Sequence, residues 1–194
     1  MGPDGNTSVA IVRTGGYSEY GFGGYIFQPD GDVTLPTEGQ AKYVGTDNYG
    51  GLRDFDGRGG LEYVRGDIEI AIDFDDFNDG SGVRGNVTNR RIYDLDNEDI
   101  TQQVLTAIGV GSTELPILLF EVSAGALDIN GELAGITLSR DPRDGDEFEK
   151  GNYYAVLSGD QANTITGIIV VTGEDPRFQD VTFRETAGFF AVRE

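Results

Sequence analysis

Carboxylates are the only side chains of this chain numerous enough to suggest chemistry. The 194 residues include 34 Asp and Glu against 14 Lys and Arg, with no Cys, His or Trp. Zinc sites built on thiolate or imidazole, nucleophiles that depend on His or Cys, disulfides and thiol redox chemistry are therefore excluded. Acid–base work by paired carboxylates and oxygen ligation of a hard cation remain.

Two acidic turns carry the oxygen ligands that calcium would need. Asp73, Asp75, Asp76 and Asp79 lie in one Gly-rich stretch, and residues 141–147 form a similar one. The first stretch lacks the EF-hand spacing, in which alternating ligands surround a central Gly and a Glu closes the loop. We interpret both as solvated turns and predict no metal site. Calcium binding by these turns, in a structural or adhesive surface module, is kept as the alternative function.

Two other motifs could serve recognition. Arg65-Gly66-Asp67 spells an adhesion tripeptide, but it falls inside a predicted strand, where it cannot project as a loop tip. A series of aromatic residues could form a recognition patch, although such a series more often packs in a core. Its members are Tyr17, Tyr20, Phe22, Tyr25 and Phe27.

Catalysis is not expected. Glycoside hydrolysis by paired carboxylates needs a cleft and usually aromatic platforms, and the chain contains no Trp. Haem ligation would depend on a Tyr, because the chain has no His and its single Met is Met1. We therefore predict no catalytic residues and no cofactor, and we assign no cofactor-binding residue.

The charge of the chain limits its partners. A net charge of −20 and a pI near 4.1 argue against nucleic acid and against an anionic membrane surface, because few cations are available to meet phosphates. The sequence has no apolar stretch long enough for a transmembrane helix. A partner with basic patches is favoured.

The residues discussed above must be positioned by β-strands, because apolar and polar residues alternate along much of the sequence. Residues 60–74 place three Ile residues and Phe74 on one face and acidic residues on the other. A second alternating run, residues 83–93, follows a turn-rich segment and is predicted to form a hairpin with the strand at residues 60–74. Six more strands are predicted: Ala41–Tyr49, Ile117–Ser123, Glu132–Arg140, Asn152–Leu157, Thr164–Val171 and Val181–Val192.

About eight strands after residue 40 suit a sandwich or a small antiparallel barrel. Glycines inside the strand-like runs favour the barrel, since they permit the coiling that closure needs. These glycines are Gly45, Gly66, Gly85, Gly135, Gly167 and Gly188. We predict an all-β fold, with a β-barrel over residues 39–194 and an N-terminal strand or hairpin region, residues 1–38, that packs on it.

One segment has helical periodicity. Ile100, Val104 and Ile108 recur at intervals of four residues, which predicts a short helix at about residues 97–108 inserted between two strands. Asp96 or Asn97 would act as the N-cap, and Gly109 stands where a C-terminal glycine belongs.

Four motifs in order resemble a known family, the β-barrel domain of transferrin-binding protein B and the wider set of Slam-dependent surface lipoproteins. Gly45–Gly51 is similar to the strand that opens the family barrel. Ile72-Asp73-Phe74 followed by Val83–Val87 resembles the next pair of strands. Gly151–Ala162 and Ala187–Arg193 resemble two late strands.

The resemblance implies a non-catalytic binding lipoprotein on the outer membrane of a Gram-negative cell. It would be exported and tethered through an N-terminal lipidated Cys, and this sequence contains neither that Cys nor a signal peptide. The implied function is capture of an extracellular protein or small solute, in some relatives for iron or haem acquisition. Ligand contacts in the family come from variable loops, so the resemblance transfers no site residue to this chain.

Overall fold

Strands dominate the chain, as the alternating sequence predicts. The computed structural model describes residues 7–15, 18–28, 33–75, 82–109, 111, 113–122, 125–159 and 161–194. Within these residues there are ten strands and one helix, α1 (Thr101–Ile108). The strands are β1 (Ser8–Arg13), β2 (Gly23–Gln28), β3 (Gln40–Asp56), β4 (Leu61–Asp73), β5 (Val83–Tyr93), β6 (Leu118–Phe120), β7 (Glu132–Arg140), β8 (Glu147–Ser158), β9 (Thr164–Glu174) and β10 (Thr182–Arg193).

Eight of the described strands close into an antiparallel barrel, which confirms the predicted fold class. Strands β3 to β10 pair in chain order, and β10 pairs with β3 to complete the ring. Closure leaves no long free edge of the kind that promotes edge-to-edge aggregation. Buried and exposed residues alternate along β4 as predicted, since Ile68, Ile70 and Ile72 are almost fully buried on one face of the strand.

The N-terminal hairpin of β1 and β2 covers one wall of the barrel. Val9 packs against the backbone of Gly188, and the Arg13 guanidinium donates a 2.8 Å hydrogen bond to Thr186 Oγ1. Beneath the hairpin, Ile168 and Thr186 are fully buried although they lie on the outer face of the barrel. The division of the chain after residue 38 into two domains stays a prediction.

Helix α1 begins later than predicted. The Asp94 carboxylate accepts hydrogen bonds from the backbone N–H groups of Asp96 and Glu98, which closes a turn in this segment. Asn97 has a left-handed φ of 65°, so the backbone is not helical there. The predicted start at residue 97 and an N-cap at Asp96 or Asn97 are therefore wrong, and Ile100 occupies the cap position without a side-chain hydrogen bond.

The C-terminal end of α1 is as predicted. Gly109 adopts a left-handed φ of 80°, and its N–H donates to the carbonyl of Leu105. The buried face of the helix, with Val104, Leu105 and Ile108, packs with Ile92 of β5. The helix therefore covers one end of the barrel beside the short strand β6.

Candidate functional site

Side chains fill the half of the lumen farther from α1. Tyr43, Tyr153 and Phe189 are fully buried there together with Ile residues of β4 and β9. The ring of Tyr153 stacks on Phe120 with a centroid distance of 4.0 Å. Burial raises the pKa of Tyr153 to about 12. This half of the lumen is therefore a packed core.

The half of the lumen nearer to α1 holds a buried charge cluster centred on Arg90. Its guanidinium donates to both carboxylate oxygens of Glu149, lies 3.4 Å from Glu185 Oε1, and donates a 2.8 Å hydrogen bond to the carbonyl of Pro116. Burial alone would lower the pKa of Arg90, but the two carboxylates outweigh burial and raise it. Arg90 is therefore a fixed cation that joins β5, β8 and β10.

Neutral hydroxyls complete the coordination of these carboxylates. The Tyr49 hydroxyl donates a short hydrogen bond to Glu185 Oε1, and Ser139 Oγ donates to Glu149 Oε1 at 2.8 Å. Burial, together with the charge of Glu185, raises the pKa of Tyr49 well above its usual value. Each of the two buried carboxylates therefore lies against Arg90 and accepts a hydrogen bond from one hydroxyl.

An outer set of ion pairs closes the barrel end. Glu62 binds Arg58 at 2.7 Å and Arg177 at 2.9 Å. Arg177 also binds Asp175 at 2.7 Å, so the loop after β9 is held against β4. Arg53 connects this set to the inner cluster, because it lies 3.9 Å from Glu62 and 3.5 Å from Glu185.

We expect the Asp175–Arg177 pair to make this barrel end sensitive to acid. Burial opposes ionisation of Asp175, but hydrogen bonds from Arg177 outweigh burial and lower the pKa of Asp175. A lowered folded-state pKa stabilises the fold above the unfolded pKa of about 3.9, and this stabilisation is lost as the pH falls through the folded value. Asp175→Asn should therefore lower the free energy of unfolding by about 1–3 kcal/mol at pH 7, and by less near pH 3.

Urea denaturation at both pH values measures this difference. Asp180→Asn is the matched control, because Asp180 is exposed in the same loop and its φ of 59° is tolerated by Asn. If Asp175→Asn lowered the free energy of unfolding equally at pH 7 and pH 3, the lowered pKa of Asp175 would not be the source of the acid sensitivity.

Above the outer ion pairs lies an open cleft of about 890 Å³ between the 141–147 turn and the 172–182 segment. Glu147, Glu174 and Asp180 line it with exposed carboxylates. Among the described residues, Glu174 and Asp180 have no ion-pair partner within 4.0 Å, and Glu147 has only Lys150 at 3.3 Å on the surface. Phe178 also lines the cleft and is 49% exposed, and the guanidinium groups of Arg58 and Arg177 lie 5.1 Å and 5.7 Å from its ring centroid. Arg143 and Arg177 line the cleft as well, but each is paired with a carboxylate of its own turn, Asp141 or Asp175. The cleft therefore combines exposed carboxylates with a half-exposed aromatic ring.

The first Asp-rich turn is part of the fold. Asp73 accepts hydrogen bonds from the Gln40 side chain and from the Asp75 backbone, and Asp75 accepts one from Gly39 N. Asp76 and Asp79 lie outside the described residues. Among the residues that the structure describes, no three acidic side chains converge on a possible metal position.

In the second acidic turn, the Asp141 carboxylate is engaged by Arg143. It accepts from the guanidinium and from the backbone N–H of that residue. Hydrogen bonds from Arg143 lower the pKa of Asp141 against the effect of burial. This turn contributes one wall of the cleft, a role that its acidic composition did not indicate.

The adhesion tripeptide lies inside β4, as predicted. Arg65 stacks on Tyr93 and donates to Asn97, while Asp67 accepts from the Asp47 backbone and from Asn89. These contacts hold both charged side chains of the tripeptide flat against the barrel wall.

Among the described N-terminal aromatic residues, Tyr20 packs on the barrel, whereas Phe22 and Tyr25 are exposed. The Tyr20 hydroxyl is 2.7 Å from Thr182 Oγ1, with Arg184 over its ring, whereas Phe22 is 75% exposed. Tyr17 and the side chain of Phe27 lie outside the described residues.

The fold defines the chain as a small closed antiparallel barrel with a filled lumen, whose open cleft lies at one end. No protein-family model and no curated protein sequence matches it. In the described part of the chain, no helix is long and apolar enough to span a membrane.

Solved structures that resemble the chain include those of Transferrin Binding Protein B (TbpB). A double mutant and a single mutant from Haemophilus parasuis match with TM-scores of 0.48 and 0.42, both at 13% identity, over 97% and 82% of this chain. Intact Ap-TbpB, with N and C lobes, matches with a TM-score of 0.47 at 11% identity over 97%. The chain spans about a third of the length of those proteins, 33%, 27% and 34%. The likeness stated from the sequence motifs and the likeness found here name the same proteins, and at this identity it is a likeness of fold alone.

Proposed function

We propose that this chain is a non-catalytic, surface-displayed binding protein that captures a protein partner at the cleft between the 141–147 turn and the 172–182 segment. The observation that carries the proposal is the cleft itself, with its exposed carboxylates and Phe178. Charged residues without partners are costly to bury, so a partner that supplies cations gains affinity and orientation together.

The partner fits best as a protein surface rich in Lys and Arg. Arg stacks on aromatic rings and pairs with carboxylates, and the exposed part of the Phe178 ring beside Glu174 and Asp180 offers both kinds of contact. The net charge of −20 would steer such a partner toward the chain from a distance. Display on an outer membrane and a role in iron or haem acquisition belong to the same proposal.

A matched pair of charge variants tests the cleft. The first combines Glu147→Gln, Glu174→Gln and Asp180→Asn. The second combines Glu38→Gln, Glu98→Gln and Asp96→Asn, which are exposed residues outside the cleft and remove the same charge.

Binding is measured by biolayer interferometry against secreted host proteins, transferrin included, and against a Lys- and Arg-rich reference peptide. The cleft variant should bind about tenfold more weakly than wild type, and the control less than about twofold. Equal weakening by both variants would mean that net charge alone drives binding, and the cleft would then not be the site.

A further inference from the structure

The outer face of β7 carries an ordered pattern of side chains. Along the strand, the residues that face outward are Glu132, Ala134, Ile136, Leu138 and Arg140. An acidic residue therefore stands at one end of the strand, a basic residue at the other, and three apolar residues between them. The two charged residues lie roughly 26 Å apart along the strand.

The apolar region extends onto the neighbouring strands. Leu119 of β6 lies opposite Leu138, and Tyr154 of β8 lies opposite Ala134. Leu119 is 45% exposed, Ile136 38% and Tyr154 43%. Contiguous exposed apolar side chains on one face of a soluble protein mark an interaction surface more often than isolated ones do. We name this surface the β7 face.

The β7 face differs from the wall that the hairpin covers. On that wall, outward residues such as Thr166 and Ile168 are fully buried under β1 and β2. The β7 face has no such cover from the described residues. Its end charges are also available, since neither the Glu132 carboxylate nor the Arg140 guanidinium has an ion-pair partner within 4.0 Å in the described chain.

We propose that a second copy of this chain docks on the β7 face to form a two-fold dimer. The two-fold axis would run across the strands, in the plane of the interface, at the level of Ile136. This places the two β7 strands face to face in opposite directions, as in packed sheets about 10 Å apart. Arg140 then meets the partner subunit's Glu132, and Ile136 meets the partner subunit's Ile136.

The pattern on β8 supports the same arrangement. Lys150 pairs with Leu138 and Tyr154 with Ala134, so the two side chains lie at equal distances on either side of the Ile136 level. The rotation brings Lys150 over the partner subunit's Tyr154, a favourable cation–π contact. An axis along the strands would instead oppose Arg140 to the partner subunit's Arg140. The ends of β7 and the β8 pair are therefore self-complementary, as a two-fold interface requires, whereas Glu121, which lies beside Ile136, faces the partner subunit's Glu121 at the edge of the interface.

Net charge shapes the expected behaviour of the dimer. Two copies of charge −20 repel each other over long distances, and this repulsion is screened when the Debye length falls to about 8 Å at physiological ionic strength. Dimerisation should therefore strengthen between about 0.01 M and 0.15 M salt. An interface held mainly by basic patches would weaken over the same range.

Sedimentation equilibrium of the whole chain over a concentration series tests the dimer. Arg140→Glu and Glu132→Arg each oppose like charges at both ends of the symmetric interface, so each should raise the dissociation constant about tenfold or more. The combined variant Arg140→Glu/Glu132→Arg restores opposite charges and should recover wild-type affinity within about threefold. Ile136→Asp places charges on the axis and should leave only monomer.

Arg84→Glu is the control, because Arg84 is exposed on β5 outside the β7 face. Thermal melts show whether each variant is folded. A wild-type chain that stays monomeric up to about 1 mM would overturn the proposal. So would single reversals that dimerise like wild type, or a double reversal that fails to recover the dimer.

Discussion

Replacing Gly51 by Ala is expected to lower the free energy of unfolding by about 2–4 kcal/mol. A Cβ at this position would lie 2.1 Å from the carbonyl oxygen of Thr186 and 2.4 Å from Cα of Ala187. Both are backbone atoms of β10, so they cannot move aside as a side-chain end would. Gly51 pairs with Ala187 where β10 and β3 close the barrel, and the substitution strains that closure directly.

The neighbouring glycine provides the control. A Cβ at Gly50 would meet only the carbonyl oxygen of Val64, at 3.5 Å, which is ordinary contact. Gly50→Ala should raise stability by about 0.5–1 kcal/mol, because a strand glycine loses more backbone entropy on folding than Ala does. Urea denaturation and thermal melts of the two single variants give the comparison. Equal stabilities for the two would contradict the close approach of β3 and β10 at Gly51.

Replacing Arg90 by Met is expected to cost about 3–5 kcal/mol. Met fills a similar volume but leaves the buried carboxylates of Glu149 and Glu185 without their main cation. Removing one partner of a buried pair is far more costly than removing the whole pair, because the remaining charge stays desolvated. The loss of the hydrogen bond to the Pro116 carbonyl adds to the effect.

Arg91→Met tests whether the burial of Arg90 is the cause of the large loss of stability expected for Arg90→Met. Arg91 is the next residue of β5, and its ion pair with Asp99 is exposed, with 58% and 40% of the two side chains accessible. This substitution should change stability by about 1 kcal/mol or less. Denaturant midpoints of the two variants measure the contrast. If both cost the same, the cluster around Arg90 is not the buried support that its geometry indicates.

The buried charge cluster around Arg90 could not be predicted from the sequence, because alternation along β5 gives the wrong set of inward-facing residues. Alternation continued from Val87 would turn Asn89 and Arg91 into the lumen and leave Arg90 outside. Instead the pairing of β4 with β5 shifts between Arg65 and Asp67, and Asn89 adopts a φ of 52°. This bulge reverses the phase of the strand, so Arg90 and Ile92 face inward.

Helix α1 shows a similar limit at shorter range. The periodic apolar residues located the helix, and Gly109 marked its end, because both signals depend on neighbours within a few residues. The start was misplaced because Asp94 uses its carboxylate to close a turn before the helix. Acidic residues ahead of a helix can cap it or form such a turn, and composition does not separate the two.

The class of fold and most of its strands could be predicted from the amino-acid sequence, since alternation and Gly-containing turns are local properties of the chain. The sequence also excluded His- and Cys-based chemistry, because composition alone decides that question. The positions at which charged side chains meet depend instead on contacts between distant strands. Arg90, Glu149 and Glu185 come from three strands far apart in the chain, and a bulge sets which of the neighbouring arginines enters the lumen. The cleft and the β7 face likewise depend on which strands and turns become neighbours when the barrel closes.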